Sequence, residues 1–137
     1  MMLENRRNRI LIADNDEEVL IALERTLETE GYETTVAFSH QQVSEMLCQH
    51  SFDLFVLDDY LAEVHCVQVL AECRRAGMVP WAIVTYHHDP SPAERKQAMA
   101  LGAIAWVNKR AYEELTGIVA YVLETRRCID SRFESMT

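Results

Sequence analysis

The stretch Phe52–Leu57 reads FDLFVL, the most strand-like run in the chain, and it passes directly into two carboxylates, Asp58 and Asp59. Similar runs recur along the sequence. Arg9–Ala13 (RILIA) has the continuous apolar character of a strand buried on both faces. Thr34–Phe38 predicts a second strand, Val79–Thr85 (VPWAIVT) a fourth and Ile104–Val107 a fifth. Pro80 falls among the first residues of the fourth strand, where proline is tolerated. Between these runs the apolar period becomes helical. Residues 16–30 bring Val19, Leu20, Leu23 and Leu27 to one face, and Gly31 stops that helix. Ser39 caps a helix that carries Val43, Met46 and Leu47 inward. Val64–Ala76 predicts a third helix, with Val67, Leu70 and Ala71 on its buried side and Gly77 at its end. Pro92 suits the first turn of a fourth helix that runs to Leu101 and is closed by Gly102. A last helix begins near Tyr112.

Five strands alternating with five helices imply an α/β fold, a doubly wound parallel sheet covered on both faces. Right-handed crossovers leave few topologies, and a (βα)5 chain of this size commonly takes the flavodoxin-like strand order 2-1-3-4-5. The length of 137 residues suits one domain, and 49% apolar residues can build its core. The domain is expected over residues 8–124, followed by a helical extension over 125–137, where the sequence turns more polar. Leu115, Val119, Val122, Arg126, Ile129, Phe133 and Met136 form a heptad stripe with Arg126 at a seam position. Its outer half is expected to pack on a partner such as a second copy.

The net charge of −9 argues against direct binding to nucleic acid, which depends on cations facing phosphates. The arginines cluster at Arg6, Arg7 and Arg9 and at Arg126 and Arg127, both read as solvated ends. No apolar run approaches the roughly 20 residues of a membrane helix. The start MMLENRRNR carries no hydrophobic block, so no secretory signal is expected and a cytoplasmic location is the default. Cys48, Cys66, Cys73 and Cys128 form no CxxC pair, and read as buried or half-buried free thiols without a disulfide framework or zinc site.

Sheets of this kind place their sites at the carboxyl ends of strands, where the strand order reverses. Strand one ends in Asp14-Asn15-Asp16, strand three in Asp58-Asp59, strand four in Thr85 and strand five in Asn108-Lys109. Carboxylates brought together raise one another's pKa and call for a cation, and oxygen ligands of this type suit Mg²⁺. Lys109, one of two lysines with Lys96, adds a positive centre, and Thr85 offers a hydroxyl donor. Together these groups suit in-line phosphoryl transfer to a carboxylate oxygen. Taken singly, an acid after a strand is usually a cap that offsets the helix macrodipole. The convergence of four strand ends is what favours a site. His87-His88-Asp89 reads as a polar switch loop, and His65 as exposed at a turn.

The segments ILIADND, DLFVLDDYLA, IVT and GAIAWVNK, in this order, resemble the response-regulator receiver family over about residues 8–124. The resemblance implies that Asp58 accepts a phosphoryl group from a histidine kinase or phosphotransfer protein. It implies Mg²⁺ at Asp14, Asn15, Asp58 and the backbone carbonyl of Tyr60, with Asp16 as a further candidate. Lys109 would contact the phosphoryl group, Thr85 would move to bond it, and Trp106 would stand for the aromatic residue that reorients with it. The face of the fourth helix, fifth strand and fifth helix would then change its affinity for a downstream protein.

The chain departs from the family at Asn15, where Asp is usual, and at Ala62, Tyr86 and Arg110. Loss of the proline after Lys109 predicts a trans bond there and a displaced lysine, because a non-proline cis bond costs roughly 3–4 kcal/mol. Tyr60 and Tyr86 flank the site. The expected function is that of a stand-alone response regulator, a phosphoprotein of two-component signalling. It would not be an enzyme beyond its own phosphorylation and dephosphorylation. The alternative is a degenerate receiver that binds partners independently of phosphorylation. A small hydrolase on the same fold would need Asp16 as its general acid.

Overall fold

The computed structural model describes residues 7–136 other than Val79, with side chains described up to Arg132. Five parallel strands form one sheet: β1 (Arg9–Ala13), β2 (Glu33–Ala37), β3 (Leu54–Asp58), β4 (Ala82–Tyr86) and β5 (Ala103–Asn108). Their order is β2-β1-β3-β4-β5, the flavodoxin-like order expected. All five residues of β3 are buried, as the central strand of a sheet covered on both faces requires. Successive β3 side chains alternate between two cores. Leu54 and Val56 join Ile10, Ile12, Ile83 and Val107 against helices α1 (Glu17–Thr29) and α5 (Leu115–Met136). Phe55 and Leu57 join Leu11 and Val84 against α2 (His40–Gln49), α3 (Cys66–Arg75) and α4 (Pro92–Ala100).

Local sequence chemistry sets the helix ends. Asp16 caps α1 by accepting from the Glu18 and Val19 N–H groups, Ser39 caps α2 and Ser91 caps α4, with Pro92 opening the last of these. Gly102 turns α4 into β5 with φ of +117°, and a Cβ there would stand 2.0 Å from the Pro80 carbonyl oxygen. Only glycine fits this close approach.

The third helix differs from the expected Val64–Ala76. Val64–His65 instead pairs antiparallel with Tyr60–Leu61, and the turn between them uses left-handed Ala62 (φ 47°) and Glu63 (φ 70°). Starting at Cys66, α3 buries Cys66, Val69, Leu70 and Cys73, spaced one helical face apart, rather than Val67 and Ala71. Cys48 and Cys128 are exposed on outer helix faces, so only Cys66 and Cys73 are buried thiols. The fourth strand starts at Ala82, after Pro80 and Trp81. A 3₁₀ segment, Lys109–Glu114, precedes α5, so the last α-helix starts at Leu115 instead of Tyr112.

Helix α5 runs unbroken through residue 124. The inner part of its stripe, Leu115, Val119 and Val122, is core. Arg126 turns back onto its own domain. Its guanidinium donates to the Asp53 carbonyl and lies 5.8 Å from the Trp81 ring centre. Ile129 is exposed, and the side chains of Phe133 and Met136 lie outside the described residues. Among the described residues no helix is long and apolar enough to cross a membrane.

Candidate functional site

Among the described residues the buried polar side chains are Asp14, Asp58 and Thr85, and all three stand at carboxyl ends of adjacent strands. In the sheet register Ala13 pairs with Leu57, which sets Asp14 beside Asp58, and Asp58 pairs with Thr85. Burying a carboxylate without a partner costs several kcal/mol. Lys109 supplies the partner from the end of β5. Its Nζ lies 2.8 Å from Asp14 Oδ2 and 3.1 Å from Asp58 Oδ1, and its side chain is 7% exposed. The lysine is therefore in the site rather than displaced. Every described peptide bond is trans, as expected at Lys109–Arg110. Asn108 caps the 3₁₀ turn by accepting from the Arg110 N–H at 2.9 Å, which turns the chain so that Lys109 reaches inward.

The electrostatics follow from this geometry. Burial pushes the Asp58 pKa up from 3.8 to about 6, helped by the Asp14 charge and opposed by Lys109 and the Tyr60 N–H. Burial alone would lower the Lys109 pKa, but the hydrogen bond and charges of Asp14 and Asp58 outweigh it and hold the ammonium above its ordinary value. Two buried carboxylates against one ammonium leave an excess negative charge, and Asp58 opens into a cleft of about 760 Å³. Oxygen donors facing such a cleft fit a hard divalent cation that keeps several waters.

The other expected residues stand around this centre. Asn15 and Asp16 are exposed at the mouth. One Asp16 carboxylate oxygen is occupied in capping α1, at 3.0 Å from the Glu18 nitrogen and 3.4 Å from that of Val19. Asp14 Oδ1 accepts from the Asp16 N–H at 2.9 Å. The Tyr60 ring is exposed and meets His65 edge-on at 4.9 Å. His65 is half-buried rather than exposed, 3.9 Å from Asp59 through Nδ1 and 3.6 Å from Glu94 through Nε2. Asp59 accepts from the Cys66 thiol at 3.3 Å. Burial, with that carboxylate, pushes the thiol's pKa well up. His87, His88 and Asp89 line the cleft.

Sequence reasoning did not find Arg95. Its guanidinium lies 5.5 Å from the Tyr86 ring centre and 5.0 Å from that of Trp106, and it pairs with Asp89 at 2.9 Å. The Trp106 Nε1 is buried without a hydrogen-bond partner. Pro92 fixes where α4 begins, and so sets Arg95 in its first turn. Nothing local to Arg95 says that two aromatic rings from β4 and β5 lie beneath it.

A family model described as the response regulator receiver domain matches residues 10–120. The alginate biosynthesis transcriptional regulatory protein AlgB of Pseudomonas aeruginosa is 33% identical over 135 residues, covering 96% of this chain and 29% of that protein. The transcriptional regulatory protein CpxR of Escherichia coli is 29% identical over 102 residues, covering 74% of this chain and 43% of that protein. The chain thus spans less than half the length of these relatives. Among solved structures, a CheY-like receiver domain protein from Methanospirillum hungatei superposes with a TM-score of 0.76 at 22% identity, covering 89% of this chain and 98% of that one. The receiver domain of a LuxO repressor protein from Vibrio parahaemolyticus gives 0.81 at 18% identity, covering 91% and 96%. The chain belongs to the response regulator receiver domain family.

Proposed function

We propose that this receiver domain accepts a phosphoryl group on Asp58, with Mg²⁺, from a histidine kinase or phosphotransfer protein. The observation that carries this reading is the Lys109 ammonium held between the Asp14 and Asp58 carboxylates beside the buried Thr85 hydroxyl. With a pKa of about 6, Asp58 is an anion at neutral pH and can act as a nucleophile. The Asp14 and Asp58 carboxylates, Asn15 and the Tyr60 carbonyl are the groups that would hold Mg²⁺. The ion would neutralise charge on the transferring phosphoryl oxygens. Lys109 can follow that charge because it already reaches the acceptor oxygen, and Thr85 can donate its hydroxyl to a phosphoryl oxygen. The chemistry is confined to gain and loss of this group, without turnover of another substrate. The output would be a changed affinity of the α4–β5–α5 face for a downstream protein, with Trp106 and Tyr86 moving as Thr85 does. The exposed outer part of α5, at Ile129, is where a second copy would pack. An unchanged sedimentation coefficient after removal of residues 125–137 would count against that contact.

A phosphorylation-independent interaction module is the second reading. Asn15 lacks a charge, and the neighbouring acid, Asp16, has one carboxylate oxygen engaged in capping α1. One experiment separates the two. The chain is incubated with Mg²⁺ and acetyl phosphate or beryllofluoride while intact mass and tryptophan fluorescence are followed. A gain of one phosphoryl group in the wild type, absent in Asp58→Asn, is expected. No gain in either at millimolar Mg²⁺ selects the interaction module.

A further inference from the structure

We propose that Asp59, His65 and Cys66 form a second metal site, a thiolate-containing one suited to Zn²⁺, in the loop that follows the phosphoacceptor. Their ligand atoms all lie within 4.8 Å of one another. Cys66 Sγ stands 3.3 Å and His65 Nδ1 3.9 Å from the same Asp59 oxygen. Zinc bonds of roughly 2.0–2.3 Å in a tetrahedron set ligands about 3.4–3.6 Å apart, so the two edges to Asp59 need to move by only a few tenths of an ångström, and the third, from Cys66 Sγ to His65 Nδ1, starts at no more than 4.8 Å. Sulfur and imidazole ligands distinguish the cluster from the all-oxygen groups around Asp58, which suit Mg²⁺.

Two further features point to a ligand. His65 Nδ1 is buried without a hydrogen bond of normal geometry, although the side chain faces the Gln68 backbone N–H in the capping box of α3, where Gln68 Oε1 accepts from the His65 backbone N–H at 3.3 Å. On the opposite side of the ring, Nε2 lies 3.6 Å from Glu94. A metal-bound histidine almost always gives its other ring N–H to a carboxylate or carbonyl, which fixes its tautomer. Glu94 occupies that place. The hairpin turn that returns His65 and Cys66 over Asp59 also holds two non-glycine residues at positive φ. Such strain persists where surrounding structure over-determines it.

The exchange balances simply. The Cys66 thiol loses its proton to solvent, and its S–H···Asp59 hydrogen bond is replaced by two metal bonds. The cleft, lined also by His87 and His88, leaves a fourth position for water or for one of these imidazoles. Because Asp59 and Cys66 bracket Tyr60, a bound ion would pin the segment that carries the Tyr60 carbonyl beside Asp58. Metal supply would then be coupled to phosphoryl uptake.

The test is a Co²⁺ and Zn²⁺ titration of the full chain with Cys48→Ser and Cys128→Ser, which removes the exposed thiols. The expected result is one equivalent of Co²⁺ with a thiolate-to-metal charge-transfer band, displaced by Zn²⁺. Asp58→Asn should retain the band, whereas Cys66→Ser and His65→Gln should abolish it. Glu94→Gln, at a partly exposed position that risks no unfolding, should weaken Co²⁺ binding about 10–100-fold. The site is refuted if no band forms at millimolar Co²⁺, if the band survives Cys66→Ser, if Asp58→Asn removes it, or if Glu94→Gln binds as tightly as the parent.

Discussion

Replacing Asp58 with Asn should stabilise the metal-free domain at neutral pH and leave it almost unchanged in acid. The folded Asp58 has a pKa of about 6 against 3.8 for a free carboxyl, a rise of about 2 units whose main cause is burial. One unit is worth 1.36 kcal/mol, so keeping this carboxylate ionised costs the fold about 3 kcal/mol. The sign follows from proton counting. Between pH 3.8 and about 6 the folded state binds more protons than the unfolded one, so stability falls as pH rises through that window. Above about pH 6 the full penalty is present, and near pH 4 it has nearly gone. Asparagine removes the charge at similar volume but weakens the Asp58 contact to Lys109, so about 3 kcal/mol is an upper bound. Urea denaturation in EDTA at pH 4.5, 5.5, 6.5 and 7.5 would read the effect. The difference between variant and wild type should grow from at most about 1 kcal/mol to about 2–3 kcal/mol across that series. A difference that stays the same at pH 4.5 and 7.5, or a variant less stable at pH 7.5, would refute the account of a buried, charge-crowded Asp58.

Lys109→Met should have the opposite sign, because it leaves Asp14 and Asp58 buried without their cation. A loss of about 3–5 kcal/mol at pH 7.5, partly recovered at pH 5 in chemical denaturation, is expected, and a pH-independent loss would contradict it. Arg95→Ala in a Trp81→Phe background should red-shift Trp106 emission by opening one ring face, and cost about 1–2 kcal/mol for two cation–π contacts. Unchanged emission would show that Arg95 does not cover the ring. Gly102→Ala should cost more than about 2 kcal/mol from positive φ and the overlap with the Pro80 carbonyl, measured by thermal unfolding, where a near-neutral change would count against that approach.

Much of the fold and of the acidic centre could be read from the sequence, because both depend on one-dimensional facts. A strand buried on both faces must be continuously apolar, and β3 is. A helix that starts after Asp16, Ser39 or Ser91 announces its first turn through the cap. Once five strands are parallel, the residues following them share one edge of the sheet. Asp14, Asp58, Thr85 and Lys109 could therefore be grouped before any distance was known.

Other features depend on where long side chains and irregular backbone go. Ala62 and Glu63 give no sign of left-handed geometry, so the hairpin that shortens α3 and reverses the chain over Asp59 was not legible. Without that reversal His65 reads as a surface turn and Cys66 as an ordinary buried thiol. Arg126 occupies a heptad seam position by spacing, yet its flexible side chain reaches back to the Asp53 carbonyl and the Trp81 ring. Arg95 reaches between Tyr86 and Trp106 across a helix–sheet gap that no period encodes. Sequence by itself determined the elements, their order and the strand-end carboxylates with their lysine, since these follow from hydrophobic period and the geometry of a parallel sheet. Only the tertiary structure decided what surrounds that centre, since turn dihedrals and rotamers are chosen by packing between segments far apart in the chain.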